Sequence, residues 1–191
     1  MDLCLYKHIT LVVYWTPRAF NELADLLSSA TAQRWHEYWL LCKVFFDLDG
    51  LWGQHTIDSF ATSSNAQPLL QPNTGRFCSS FYEDEAECVA SLGADWSGDN
   101  NWCFPPYKLI GLTIHHLLRC RAVGTIIVPY WVHGPFWPLL YPHGAGGTPS
   151  PHMMSIRELG LGHTVLGFPT DDQRGSICER LIVAIRFDGR N

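Results

Sequence analysis

The chain has 191 residues, enough for one full domain and part of another. Hydrophobic residues make up 47% and charged residues only 16%, which excludes a disordered tail and leaves little charge for the surface. A net charge of −5 with a pI near 5.9 excludes an overall basic field for gripping nucleic acid.

Strand Ile9–Trp15, rich in β-branched and aromatic residues, is the first predicted element, and Thr16-Pro17-Arg18 stops it. Asn21–Ser28 has the apolar spacing of a short helix, and Thr31–Asp49 that of a longer one ended by Gly50 and Gly53. A short strand is expected at Thr56–Ala61, followed by the polar stretch Thr62–Asn65 and a Pro- and Gly-bearing loop over 66–80. Asn101–Phe104 reads as a strand cut off by Pro105-Pro106, and Tyr107–Arg121 as a helix. Thr125–Val128 is a continuous apolar run of the kind that fills the centre of a sheet. Beyond it come the aromatic, Pro-rich stretch Trp131–Leu140, a Gly/Pro loop over 142–151, and a last strand at Arg180–Phe187. Strands alternating with helices indicate an α/β fold.

The seven cysteines are odd in number and contain no C-x-x-C, which excludes a zinc ribbon or finger on spacing. Reduced, mostly buried thiols are expected. No apolar run approaches the roughly 18 residues that cross a bilayer, and no secretory signal is visible, so a soluble intracellular protein with no membrane partner is expected. His115-His116 lies on one predicted helix with the rings about 100° apart, a poor metal pair, and the nine His contain no H-x-x-x-H. The acidic cluster Glu83-Asp84-Glu85 with Glu87 reads as a solvated turn.

Two stretches carry chemistry. In the first, Trp15-Thr-Pro-Arg-Ala-Phe-Asn-Glu-Leu-Ala-Asp25, a strand, an arginine turn and an Ala-Asp pair on a helix resemble the end of a retroelement ribonuclease H domain. The resemblance implies that Asp25 is the last carboxylate of a catalytic set holding two divalent metals about 4 Å apart. The other carboxylates would lie upstream of Met1, so a divalent metal belongs only to an intact parent enzyme.

In the second, Asp58-Ser59-Phe60-Ala61, Asp95-Trp96-Ser97-Gly98, Pro105-Pro106-Tyr107 and the strand Thr125–Pro129 follow in that order. This order resembles the phage-type DNA adenine-N6 methyltransferases. The resemblance implies that Asp58, Phe60, Ala61 and Asp95 line a pocket for S-adenosylmethionine, weakly bound, and that Phe104, Pro105, Pro106 and Tyr107 form the catalytic loop that receives a flipped base. In that family the residue before Pro-Pro accepts a hydrogen bond from the target amine. Phe104 cannot. The loop after Asp58, Thr62-Ser63-Ser64, also lacks the glycines that let backbone approach a cofactor closely.

A ribonuclease H tail followed by a methyltransferase-like domain resembles the polyprotein of DIRS-type, tyrosine-recombinase retrotransposons. The implied organisation is a ribonuclease H remnant at 1–30, a connecting helix at 31–55, and a degenerate methyltransferase-like domain at 56–191. Its implied fold is α/β with a mainly parallel, Rossmann-like sheet and an N-terminal strand–helix appendage. Nucleic acid is the implied partner, through the parent polyprotein. An active methyltransferase and a non-catalytic scaffold for nucleic acid or the reverse transcriptase are the competing readings. The resemblance further implies that Asp58, Asp95 and Tyr107 surround one cleft at the carboxyl ends of adjacent strands, with Phe104 at its floor.

Overall fold

The computed structural model describes residues 38–68, 75–144, 146–168 and 176–191. Chain contacts divide the molecule into Met1–Arg34 and Trp35–Asn191, and the architecture below is that of the second unit. The expected strand at 9–15, the expected helix at 21–28 and Asp25 lie outside the described residues.

Its centre is a five-stranded sheet in the order β2 (Ile57–Asp58), β5 (Asn100–Cys103), β6 (Val123–Pro129), β9 (Leu181–Asp188), β7 (Met153–Leu161). The expected position of Thr125–Val128 holds: β6 is the middle strand, and Ile126, Ile127 and Val128 are fully buried. Alternation along the strands serves two cores. Ile126 and Val128, with Val183, Ile185 and Phe187 of β9, face α2 (Ile110–Arg119) and α3 (Trp137–Leu140). Ile127, Trp102, Ile182 and Ala184 face Phe45 and Leu48 of α1 (Cys42–Trp52), together with Leu40, Val165 and Leu166. A sheet buried on both faces explains why these runs are continuously apolar.

The sheet is mixed, which corrects the expectation of a mainly parallel one. β2 pairs with β5 and β5 with β6 in parallel, whereas β9 is antiparallel to both its neighbours, β6 and β7. Reversal is confined to β9, so β7 points the same way as β6. An apolar run such as Leu181–Phe187 reports burial, not direction.

Outside β2 the pattern continues in smaller pieces. Asp58 bridges Phe77 in parallel, immediately before β3 (Cys78–Ser79), which pairs in parallel with β4 (Cys88–Val89). From β2 the chain therefore runs out to β3 and β4 on one side, then returns to lay β5 and β6 on the other. The order of strands reverses between β2 and β5.

Three local expectations need correction. The helix predicted from Thr31 begins, within the described residues, at Cys42, and Trp39–Leu40 instead form β1, antiparallel to β8 (Leu166–Gly167). Gly50 lies inside that helix, and Gly53, at φ +86°, ends it. The cysteines are not all reduced: parallel pairing sets Cys78 opposite Cys88, with Cα atoms 4.7 Å apart, and the two form a disulfide. Cys42, Cys103, Cys120 and Cys178 are free thiols. A whole strand, β7, also lies where the sequence offered only composition. Among the described residues no helix is long and apolar enough to cross a membrane.

Candidate functional site

In open α/β sheets ligands bind beyond the carboxyl ends of the strands, where the strand order reverses. Here that place lies between β2 and β5, and it carries a small cleft lined by Tyr38, Trp39, Asp58, Phe60, Asn65, Gln67, Trp102 and Phe104. Its free space is about 10 Å³, room for a single water.

Asp58 closes β2 and is 3% exposed. Its Oδ1 accepts the Phe60 amide at 3.2 Å and its Oδ2 the Gln67 amide at 3.1 Å, so one carboxylate holds both arms of the following loop. Burial dominates its ionisation. It pushes the acid up to about 7 despite the two amides, which favour the charged form. A carboxyl group that titrates near neutrality in a cleft is the kind of group found at ligand and reaction sites.

Between those anchors the Thr62–Asn65 turn is tied internally. Asn65 Oδ1 accepts from the Thr62 amide at 2.7 Å, and Glu83 accepts from the Ser63 amide and from the Ser79 hydroxyl. This polar turn replaces glycine with side-chain hydrogen bonds and fixes the loop against β3.

Two residues of the lining each carry a buried polar atom without a hydrogen-bond partner. Gln67 donates its Nε2–H to the Leu40 carbonyl at 3.2 Å, but its Oε1 has no partner, and neither has the Trp102 indole N–H. They are two of four such buried side-chain atoms among the described residues. Each costs about 1–3 kcal/mol unless something supplies its hydrogen bond.

The residues singled out by sequence distribute as follows. Asp58, Phe60 and Phe104 line the cleft together. Ala61 is buried just beyond Phe60, its amide donating to the Cys78 carbonyl. Pro105 and Pro106 are buried and lead into the 3-10 turn Tyr107–Leu109. Tyr107 is not among the lining residues: its ring lies 5.0 Å from that of Trp131, on the side of the sheet that faces α2. Asp95 is exposed and also outside the lining, with its carboxylate taking the Ser97 amide and hydroxyl, which hold it below its usual range. Its neighbour Trp96 is buried and meets Phe60 edge-on at 6.0 Å. His116 is a structural pin, bonded to the Ala94 carbonyl.

Tyr38, Trp39, Gln67 and Trp102 were not singled out. Tyr38 and Trp39 sit at helical spacing in the sequence, Gln67 in loop composition, and Trp102 in an ordinary strand. Only the fold brings them to one place.

At the opposite, amino ends of the same strands lies a second polar group. His55 Nδ1 and the His55 amide both donate to Asp49 Oδ1, at 2.8 and 2.7 Å, and the Thr125 hydroxyl donates to His55 Nε2 at 2.7 Å. Arg186 donates to Asn100 Oδ1 at 2.6 Å and more weakly to Thr125. Burial pulls His55 down to about 4, so the ring is neutral, as these partners require. Asp49, His55 and Thr125 have the residue types of a nucleophile triad, but all three are buried, with every bond given to one another or to the neighbouring backbone and Arg186.

Among the described residues no group of three or more His, Cys, Asp or Glu is placed to hold a metal ion. Compared with protein-family models and with curated proteins, the sequence matches none.

Proposed function

We propose that this chain is a degenerate adenine-N6 methyltransferase-like domain from a retroelement polyprotein, retaining a remnant of a cofactor cleft and transferring no methyl group. One observation carries the reading: residues from two separate motifs, Asp58 at the end of β2 with Phe60 beyond it and Phe104 after β5, meet in one cleft at the point where the strand order reverses.

The donors and acceptors present suit a polar, heteroatom-rich ligand. Asp58 brings a titratable carboxyl, and Gln67 and Trp102 of the same lining each carry a polar atom left without a partner. The space does not suit it as the chain stands, because aromatic rings fill the cleft. With that space opened, Asp58, Phe60 and Gln67 would hold S-adenosylmethionine, which supplies an activated methyl group when bound. Asp95 and the Pro105-Pro106-Tyr107 turn keep the order of the family's motifs, and their roles at cofactor and base belong to the same proposal.

Inactivity follows from Phe104. An amine can attack a methyl group only with its lone pair oriented, and a hydrogen-bond acceptor normally does this. A phenyl ring offers none. The same proposal places the chain inside the cell, with nucleic acid reached through the parent polyprotein. In it Asp25 is a carboxylate of a ribonuclease H-like remnant, whose divalent metals belong to an intact parent enzyme.

Calorimetry of the whole chain with S-adenosylmethionine, and transfer of a labelled methyl group to an adenine-containing duplex, test the reading. The expected result is weak binding and no transfer, with Phe104→Asn giving at most partial recovery because the Thr62–Asn65 turn stays polar and tied. Methylation by the unmodified chain would overturn the inactivity. Absence of binding at millimolar cofactor, by the chain and by variants with an opened cleft, would overturn the cofactor reading.

A further inference from the structure

We infer that Tyr38–Leu41 is an autoinhibitory strap, in which the Tyr38 ring occupies the cleft that a ligand's ring would otherwise enter. The inference rests on reading the cleft as a remnant cofactor site, and concerns how that site is closed.

The strap crosses the carboxyl ends of β2 and β5. Tyr38 packs edge-on against Phe104, ring centroids 5.3 Å apart, and against Phe168 at 6.0 Å. These contacts leave the cleft about 10 Å³ of free space, beside the buried Asp58 carboxyl and among residues that include Gln67 and Trp102. Tyr38 sets an aromatic ring beside the buried Asp58 carboxyl, and the Leu40 carbonyl accepts from Gln67. A ring-bearing ligand with a polar group for Asp58 would compete with Tyr38 for that space.

Leu40 and Leu41 anchor the strap, Leu40 in the core and Leu41 at the start of α1, while Tyr38 and Trp39 reach over the cleft. β1 is two residues long and pairs with the two-residue β8, and the Leu41 amide adds one bond to the Val165 carbonyl. The closeness of Trp39 to Gly167 gives a second handle on the strap. A Cβ at position 167 would lie 2.5 Å from the Trp39 ring, so Gly167 is what lets the strap seat.

Two variants of the full chain separate the possibilities. Tyr38→Ala vacates the ring, and Gly167→Ala levers Trp39 away while leaving Tyr38 in the sequence. Thermal melts establish that each is folded, and Gly167→Ala carries the test if Tyr38→Ala is not. Calorimetry uses S-adenosylhomocysteine as the probe, and ligand-observed NMR uses p-cresol. If the strap holds the competent state to a minor population, its release tightens apparent affinity by about tenfold or more. The expected result is that gain in both variants, with p-cresol bound by Tyr38→Ala and not by the unmodified chain. Equal S-adenosylhomocysteine affinity in all three chains overturns the strap and leaves the cofactor reading standing. No S-adenosylhomocysteine binding by any of them, with p-cresol still entering Tyr38→Ala, overturns the cofactor reading and the inhibition with it.

Discussion

At the amino ends of β2, β5 and β6, a chain of groups runs from the buried Asp49, His55 and Thr125 through the half-buried Arg186 to Asn100, whose Nδ2 donates to the Gly53 and Gln54 carbonyls. At the carboxyl ends of the same strands, burial raises the Asp58 carboxyl to about 7, and Gln67 of the same cleft has an Oε1 with no partner. Both regions are polar, buried and built on the same sheet. Only one has its hydrogen bonds closed, and a network with all its members satisfied rigidifies a core, whereas a half-satisfied one costs stability unless something else completes it. The amino end is therefore scaffold. The carboxyl end leaves a bond open, as the proposed ligand site would.

The largest expected effect falls on the scaffold. Asp49→Ala strips the shared acceptor from the His55 ring and the His55 amide, both buried, and should destabilise the fold by about 4 kcal/mol, read from the urea midpoint. A loss under about 1 kcal/mol would mean the network is not what fixes this end of the sheet.

Titration should expose the two ends as opposites. Asp58 has a folded pKa near 7 against an ordinary 3.8, so the native state holds the extra proton and stability falls as pH rises between about 4 and 7. His55 has a folded pKa near 4 against 6.5, so the unfolded chain holds the extra proton and stability rises between about 4 and 6.5. In the unmodified chain the two slopes oppose each other. Asp58→Asn leaves His55 alone, and its stability should climb about 2 kcal/mol more steeply than that of the unmodified chain from pH 4.5 to 6.5. Parallel pH profiles would show that Asp58 does not titrate as its burial demands.

The smallest effect sharpens the contrast between satisfied and unsatisfied amides. Asn101 donates its Nδ2 to the Trp96, Asp99 and Val123 carbonyls, and Asn101→Leu should cost about 2 kcal/mol or more. Gln67→Met loses one bond to Leu40 but also removes an unpaired buried oxygen, so the change should stay within about 1 kcal/mol of zero. Equal losses at the two positions would remove the distinction.

How far the sequence carried the account depends on what each residue encodes locally. Thr125–Val128 was legible as the central strand because burial on both faces demands an unbroken apolar run. The reversed direction of β9 was not, since Leu181–Phe187 would look the same in either orientation. β7 was invisible for a related reason: as an edge strand it exposes Met154 and carries Arg157 and Glu158, with two register shifts and Gly160 at φ +134°, so it shows no continuous apolar stretch. At the site, Asp58, Phe60 and Phe104 stand out in sequence beside Ser-Phe-Ala and Pro-Pro. Tyr38 and Gln67 do not, because their place at the cleft comes from β1 pairing with β8 and from two amides folding back onto Asp58.

The most direct test of the central claim, that the carboxyl-end cleft receives a ligand while the amino end is scaffold, is a proton–nitrogen NMR titration of the whole chain with S-adenosylhomocysteine. The account predicts that the Phe60 and Gln67 amides, both donors to Asp58, shift on titration while the amides of His55 and Thr125 stay in place. Shifts confined to His55 and Thr125, or none at millimolar ligand in either the unmodified chain or Gly167→Ala, would contradict it.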